Sequence, residues 1–188
     1  MKPLAALLLL CCSMSLAQDR PASGVHEVAF WIGGGHGTTG STSDTGILNA
    51  GLRYGWVLTD PHGPGPLRGT FEYAVDAVPL YVIFQSSNAY GAGINPLVVK
   101  WNFDSHSRIA PHLELNGGTL FTTRDVPPGT SHVNFTSGAA LGLRFGSSRW
   151  NPVLTVRYMH ISNAGLSEPN PGINTVQLSL GLSHFSRD

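Results

Sequence analysis

Gly46-Ile-Leu-Asn-Ala-Gly-Leu-Arg-Tyr-Gly-Trp-Val-Leu-Thr59 is the stretch that decides the fold. Leu48, Ala50, Leu52, Tyr54, Trp56 and Leu58 alternate with Asn49, Gly51, Arg53 and Gly55. A period of two puts these sets on opposite faces of an extended strand. One face is wholly apolar or aromatic, and the other carries small, polar and charged groups. The composition of the chain says which medium the apolar face meets. Only 12% of the 188 residues are charged, about half the share usual in soluble domains. Beyond the N-terminus no apolar run approaches the roughly 20 residues of a membrane helix. Low charge without such helices predicts a β-barrel with its apolar face toward lipid.

Turn-forming clusters on either side divide the chain into eight strands. The first runs from Val25 to Gly34, with Val28, Phe30 and Ile32 on one face, and is followed by a Gly/Ser/Thr-rich loop. After the second strand and the cluster from Asp60 to Pro66, Thr70 to Phe84 sets Phe71, Tyr73, Val75 and Tyr81 opposite Thr70, Glu72, Ala74 and Asp76. The fourth strand, Gly91 to Phe103, alternates least clearly, because Leu97, Val98 and Val99 are consecutive. The fifth (Ile109 to Thr122), the sixth (Ser131 to Phe145), the seventh (ending at Ser162) and the eighth (ending near Phe185) complete the set. The fold expected is an all-β, eight-stranded antiparallel up-and-down transmembrane barrel. Arg53, Glu72, Asp76, Glu114, Arg144 and Arg157 fall on the inward side, where opposite charges would pair and fill a narrow lumen. Long loops are expected after the first, third, fifth and seventh strands, with short turns mostly at the other end, as outer-membrane barrels show.

Residues 1–17 read as a secretory signal peptide, with Lys2, an apolar run from Leu4 to Leu10, and Ser15-Leu16-Ala17 as the cleavage pattern. That leaves 18–188 as the barrel, to be placed in a bacterial outer membrane. Both cysteines, Cys11 and Cys12, fall within the signal, so no disulfide or thiolate metal site is expected in the mature chain. Acidic and basic residues balance at 11 each, and no basic patch points to nucleic acid. The eight histidines show no convincing ligand spacing, so neither a metal nor another cofactor is expected.

The chemical residues concentrate in Arg157-Tyr-Met-His-Ile-Ser-Asn-Ala-Gly-Leu-Ser-Glu-Pro-Asn-Pro-Gly-Ile-Asn174. Leu154, Val156 and Tyr158 continue into His160 and Ser162, so a base and a nucleophile share the apolar face. Val176, Leu178, Leu180 and Leu182 put Asn174 on the same face of the next strand. Asn163, Pro169, Asn170 and Gly172 are also good turn residues.

The run His160-Ile-Ser162-Asn163-Ala164-Gly165-Leu166, followed by Pro169-Asn170 and Gly172-Ile173, resembles the signature of PagL-type lipid A 3-O-deacylases. The resemblance implies an outer-membrane serine esterase that removes an ester-linked acyl chain from the lipid A of lipopolysaccharide. It makes Ser162 the nucleophile, His160 its base, and Asn163 with the Gly165 amide the oxyanion hole. The family's orienting acid falls at Asn174, an amide, and Glu168 in the same loop is an alternative. Lipopolysaccharide and outer-membrane lipids are the implied partners, with a homodimer left open. Against the esterase stand a non-enzymatic structural or adhesin-like barrel and a soluble lipocalin-like carrier with its faces inverted.

Overall fold

The computed structural model describes residues 20–38, 42, 44–146 and 149–187. The signal peptide read from the sequence lies outside the described residues, as do its cysteines. Eight strands, β1 (His26–Gly37), β2 (Gly46–Val57), β3 (Gly69–Phe84), β4 (Ala89–Phe103), β5 (Ile109–Thr122), β6 (Val133–Phe145), β7 (Asn151–Ser162) and β8 (Ile173–Ser186), follow in order. Each pairs antiparallel with its sequence neighbour, and β1 pairs with β8 to close the barrel. Closure leaves no strand edge unpaired, which hydrocarbon requires.

The alternation of β2 is realised as predicted: Asn49 and Arg53 are buried in the lumen while Leu52 and Tyr54 are exposed. Across the barrel the exposed set is apolar and includes Leu80, Ile94, Leu97, Leu115, Leu141, Val156, Leu178 and Leu180. Aromatic rings collect at the end that holds the chain termini, where His26, Tyr54, Trp56 and Tyr73 pack in series. Phe84, Tyr90, Phe121 and Phe135 are exposed toward the opposite end. A greasy band between aromatic girdles is the outer surface of a membrane barrel.

The lumen has two zones. Toward the termini, Arg53 binds Asp76 through Nε and Nη2 at 2.7 and 2.9 Å. Glu114 joins Arg53 and Arg157 at 2.6 Å each. Lys100 reaches Glu27 at 2.7 Å and Glu72 at 3.4 Å. Each charge has an opposite charge within direct reach, the condition under which ionic groups tolerate burial. Arg144, also expected inward, lies over the Phe185 ring at 5.0 Å. Toward the other end the filling turns apolar, with Ile47, Val78, Tyr81, Ile83, Leu120, Met159, Ile161 and Ile173 in one cluster. The cavity left among the charged side chains is only about 40 Å³, room for a few waters. A carrier needs a pocket of roughly 300 Å³ or more, so the lipocalin-like reading fails.

Four features differ from the sequence reading or add to it. Tyr81 was expected on the outer face with Phe71, Tyr73 and Val75, but it is buried at 2% exposure. The β3–β4 register shifts between Val78 and Tyr81, where Pro79 offers no N–H to the ladder and a bulge reverses the strand's parity. Pro96 does the same in β4, whose register shifts between Ile94 and Leu97, which accounts for the unclear alternation there. The connection after β3 is also short, spanning residues 85–88, because β4 starts at Ala89. Glu27 and Lys100 belong to the inward charge set as well.

Replacing Glu114 with leucine strips Arg157 of its carboxylate and leaves Arg53 with Asp76 alone. Removing one member of a buried ion network costs about 3–5 kcal/mol. Urea unfolding followed by the gel-mobility shift of the folded barrel should show a clearly lowered midpoint for Glu114→Leu. An unchanged midpoint would mean that the lumen is well hydrated.

Candidate active site at the rim of the barrel

On β7 the inward positions Met159 and Ile161 are 1% and 0% exposed and sit in the apolar filling. The residues that alternate with them, His160 and Ser162, therefore face outward, both half-buried. On β8, Ile173 and Thr175 anchor the strand inward, and Asn174 faces outward between them. The lumen filling thus fixes the direction of three polar side chains that never touch it.

Register brings two of them into contact. His160 is directly opposite Asn174, and their Nδ1 and Oδ1 atoms are 2.8 Å apart. With the amide oxygen as acceptor, Nδ1 carries the proton, and Nε2 keeps its lone pair. Asn174 is held from behind, since the Thr38 amide donates to its carbonyl at 2.8 Å and the Thr38 hydroxyl at 3.2 Å. Ser162 lies two residues from His160 on the same face, about 6.5 Å along the strand. Its hydroxyl has no hydrogen-bond partner among the described residues, and serine-to-base contacts commonly tighten only once substrate is bound.

Gly172, a turn residue by its sequence, also packs on the catalytic candidate His160. Its φ is +66°, and a Cβ built there would come within 2.8 Å of the His160 Cε1 atom. Only a residue without a side chain lets the loop close over the imidazole. The signal was present in the motif, but nothing local in the sequence reveals the contact. Thr38 was missed for a simpler reason: it sits in a Gly/Ser/Thr-rich loop with no pattern of its own.

The connection from β7 to β8 is organised by Asn163, which is 1% exposed. Its Nδ2 donates to the Ser167 carbonyl and hydroxyl, both at 2.9 Å, and its Oδ1 accepts from the Gly165 amide at 2.9 Å. The Asn163 amide donates to Asn170 Oδ1 at 3.2 Å. Ser167 in turn donates to the Thr130 carbonyl at 3.1 Å, tying this loop to its neighbour. Ala164 at φ +54° and Gly165 at φ +79° make the bend. Both groups read as oxyanion donors are thus engaged within the loop here. Glu168 is exposed, and the imidazole Nδ1–H is accepted by Asn174 Oδ1 instead.

Around these groups the surface is apolar, with Phe135 opposite Ser162 in register, and Tyr158 and Val176 exposed beside them. Among the described residues no three His, Cys, Asp or Glu side chains converge as a metal site. The arrangement thus sets an imidazole, its amide partner and a serine hydroxyl on one outward face at the barrel rim.

Comparisons with known proteins identify the family and the fold. The family model described as Lipid A 3-O-deacylase (PagL) matches residues 48–183. The lipid A deacylase PagL of Bordetella bronchiseptica is 38% identical over 63 residues, covering 34% of this chain and 35% of that protein. The match therefore spans about a third of that relative's length. In three dimensions the crystal structure of the outer membrane enzyme PagL superposes with a TM-score of 0.59 at 21% identity, over 82% of this chain and 97% of the other. The Neisserial surface protein NspA superposes at 0.51 with 16% identity, over 88% and 99%. These two share the fold.

Gly172→Ala should push the imidazole off Asn174. In ¹H NMR of the protein in micelles, the downfield Nδ1–H resonance of His160 should vanish in Gly172→Ala and persist in the near-isosteric Asn174→Asp. A resonance untouched by Gly172→Ala would refute the close packing of loop on ring.

Proposed function

The chain belongs to the lipid A 3-O-deacylase family, and from that membership we propose that it is an outer-membrane serine esterase that removes the 3-O-linked acyl chain from lipid A. The observation that carries the proposal is the 2.8 Å contact of His160 with Asn174 on the lipid-facing surface, with Ser162 beside it on the same strand. The filled lumen supports it too, because a substrate must then approach from outside.

His160 Nε2 takes the Ser162 proton as Oγ attacks the ester carbonyl, giving a tetrahedral oxyanion. Collapse expels the sugar oxygen, which receives the proton from the imidazolium and leaves an acyl-serine. Water, deprotonated by His160, then releases the fatty acid and restores Ser162. Asn163 and the Gly165 amide are assigned to the oxyanion, where one donor is worth about 10²- to 10³-fold in rate. For them to act, the loop must exchange the Asn163–Ser167 and Gly165–Asn163 hydrogen bonds for bonds to the substrate.

Asn174 holds the imidazole in the productive tautomer without the negative charge that would stabilise the imidazolium. In serine proteases the change from carboxylate to amide costs about 10⁴-fold, largely through the wrong tautomer. Here the amide oxygen already faces Nδ1, so Asn174 avoids that part of the loss. The acyl chain would leave Ser162 along the outer wall into the bilayer, over Phe135 and Tyr158. We assign this rim to the outer, lipopolysaccharide-bearing side; the connections 123–132 and 163–172 support that against 104–108 and 146–150 at the other end, where 58–68 is the exception.

Mass spectrometry of lipid A from expressing cells should show the loss of one ester-linked acyl chain. Ser162→Ala should abolish that loss, and Asn174→Asp should increase the turnover of the purified enzyme by about tenfold or more, within the span set by the protease precedent. Unchanged lipid A in cells carrying the folded barrel would refute the proposal.

A further inference from the structure

Two features of the outer wall take no part in the chemistry at the rim. The first is a groove of about 390 Å³ that runs across β3 to β6, walled by the long side chains of Phe71, Trp101, Leu113 and Leu115. Val99 and Ala139 are its short side chains and give it depth, Val99 being opposite Leu115 and Leu115 opposite Ala139 in the ladder. Pockets that hold small molecules begin near 300 Å³, so the groove can seat a length of hydrocarbon chain. At its foot Trp101 is fixed by a hydrogen bond from Nε1 to the Leu67 carbonyl at 3.2 Å.

The second feature is charge. At the rim that holds the chain termini, Arg20, Arg68, Arg108, Arg149 and Arg187 are exposed, and the acids among the described residues there are Asp60 and Asp104. At the opposite rim Arg124 stands among Asp44, Asp125 and Glu168. The terminus-bearing rim is therefore basic. Arg68 and Arg108 immediately precede β3 and β5, the strands that carry Phe71 and Leu113 of the groove. Arg68 donates from Nε to Asp104 at 3.2 Å, yet its side chain stays 49% exposed. Arg108 makes no ion pair among the described residues.

The heights match a lipid. From Arg68 to Phe71 is about 10 Å along the strand, and from Arg108 to Leu113 about 16 Å. At a strand tilt of about 40° these become roughly 8 and 12 Å of depth, within the 15 Å or so of one leaflet's hydrocarbon. We propose that the groove and its two arginines bind one anionic phospholipid, with an acyl chain along Val99 and Ala139 and the phosphate on Arg68 and Arg108. With the His160 rim assigned to the lipopolysaccharide side, the lipid belongs to the opposite leaflet. A second copy of the chain fits this face poorly, because a two-fold axis along the membrane normal would set Arg68 and Arg108 against the same arginines of the partner. The inference uses none of the residues assigned to ester hydrolysis.

Native mass spectrometry of the folded protein in micelles, titrated with dioleoylphosphatidylglycerol or dioleoylphosphatidylcholine, tests it. The wild type should retain one phosphatidylglycerol and bind it roughly 25-fold more tightly than phosphatidylcholine, about fivefold for each arginine. The double variant Arg68→Gln/Arg108→Gln should bind the two lipids alike. Ala139→Trp, which fills the groove, should weaken phosphatidylglycerol by about tenfold, the worth of two buried methylenes. Arg187→Gln, on the same rim beyond β8, should leave binding unchanged. Equal affinity of the wild type for both lipids, a double variant that keeps the preference, an Ala139→Trp variant with full affinity, or Arg187→Gln acting as strongly as the double variant overturns the inference. So does a dimer that forms without lipid and is broken by Ala139→Trp.

Discussion

Eight strands close around a lumen wide enough for side chains and a few waters, and the ion network of Arg53, Asp76, Glu114 and Arg157 is what makes that filling tolerable in a membrane. The rest of the molecule follows from it. Charges that pair inside need no solvent, so the barrel requires no aqueous channel. Above them, apolar side chains pack from Tyr81 to Ile173. With the inside full, strand residues that are not needed for packing can act only on the lipid side. Each inward anchor on β7 and β8 sets the direction of the outward residue next to it, so the lumen positions a site with which it shares no atoms.

The sequence discloses the barrel well because its period is two and its composition excludes the soluble alternatives. The bounds of β5 and the faces of β2, β7 and β8 could all be read from alternation alone. The reading breaks down where proline removes a ladder hydrogen bond. Beyond Pro79 the parity of β3 reverses, and Tyr81 turns from the lipid face into the lumen. Alternation cannot reveal a bulge, because it assumes an unbroken pleat. At the site, the positions of His160, Ser162 and Asn174 on one face were legible, and so was their grouping. The packing of Gly172 on the imidazole and of Thr38 on Asn174 was not, since both depend on where loops return in space. The internal bonding of Asn163 belongs to the same class, for the motif identifies the residue but not which partner it holds at rest.

On the proposed function, Asn174 lets a membrane-facing site use an amide as its orienting group. A carboxylate half exposed to hydrocarbon carries a desolvation cost that the amide does not. The amide gives up the charge that would stabilise the imidazolium but keeps the acceptor that fixes the tautomer. The Thr38 contacts hold the Asn174 backbone, and Gly172 keeps the ring pressed toward it, so orientation is achieved by packing where charge is absent. The site lies at the aromatic girdle of the loop-bearing rim; on the proposed function an ester linking sugar to acyl chain would lie at the same height, and neither partner would need to leave its own layer to react.

The central claim is that Ser162, activated by His160, is a nucleophile open to the lipid phase. A fluorophosphonate with a long alkyl chain, applied to outer-membrane vesicles that contain the protein, tests this directly. Peptide mass spectrometry should find the adduct on Ser162, in the tryptic peptide following Arg157, and the adduct should be lost in His160→Ala. A folded barrel that remains unlabelled, or one labelled elsewhere than at Ser162, would contradict the account.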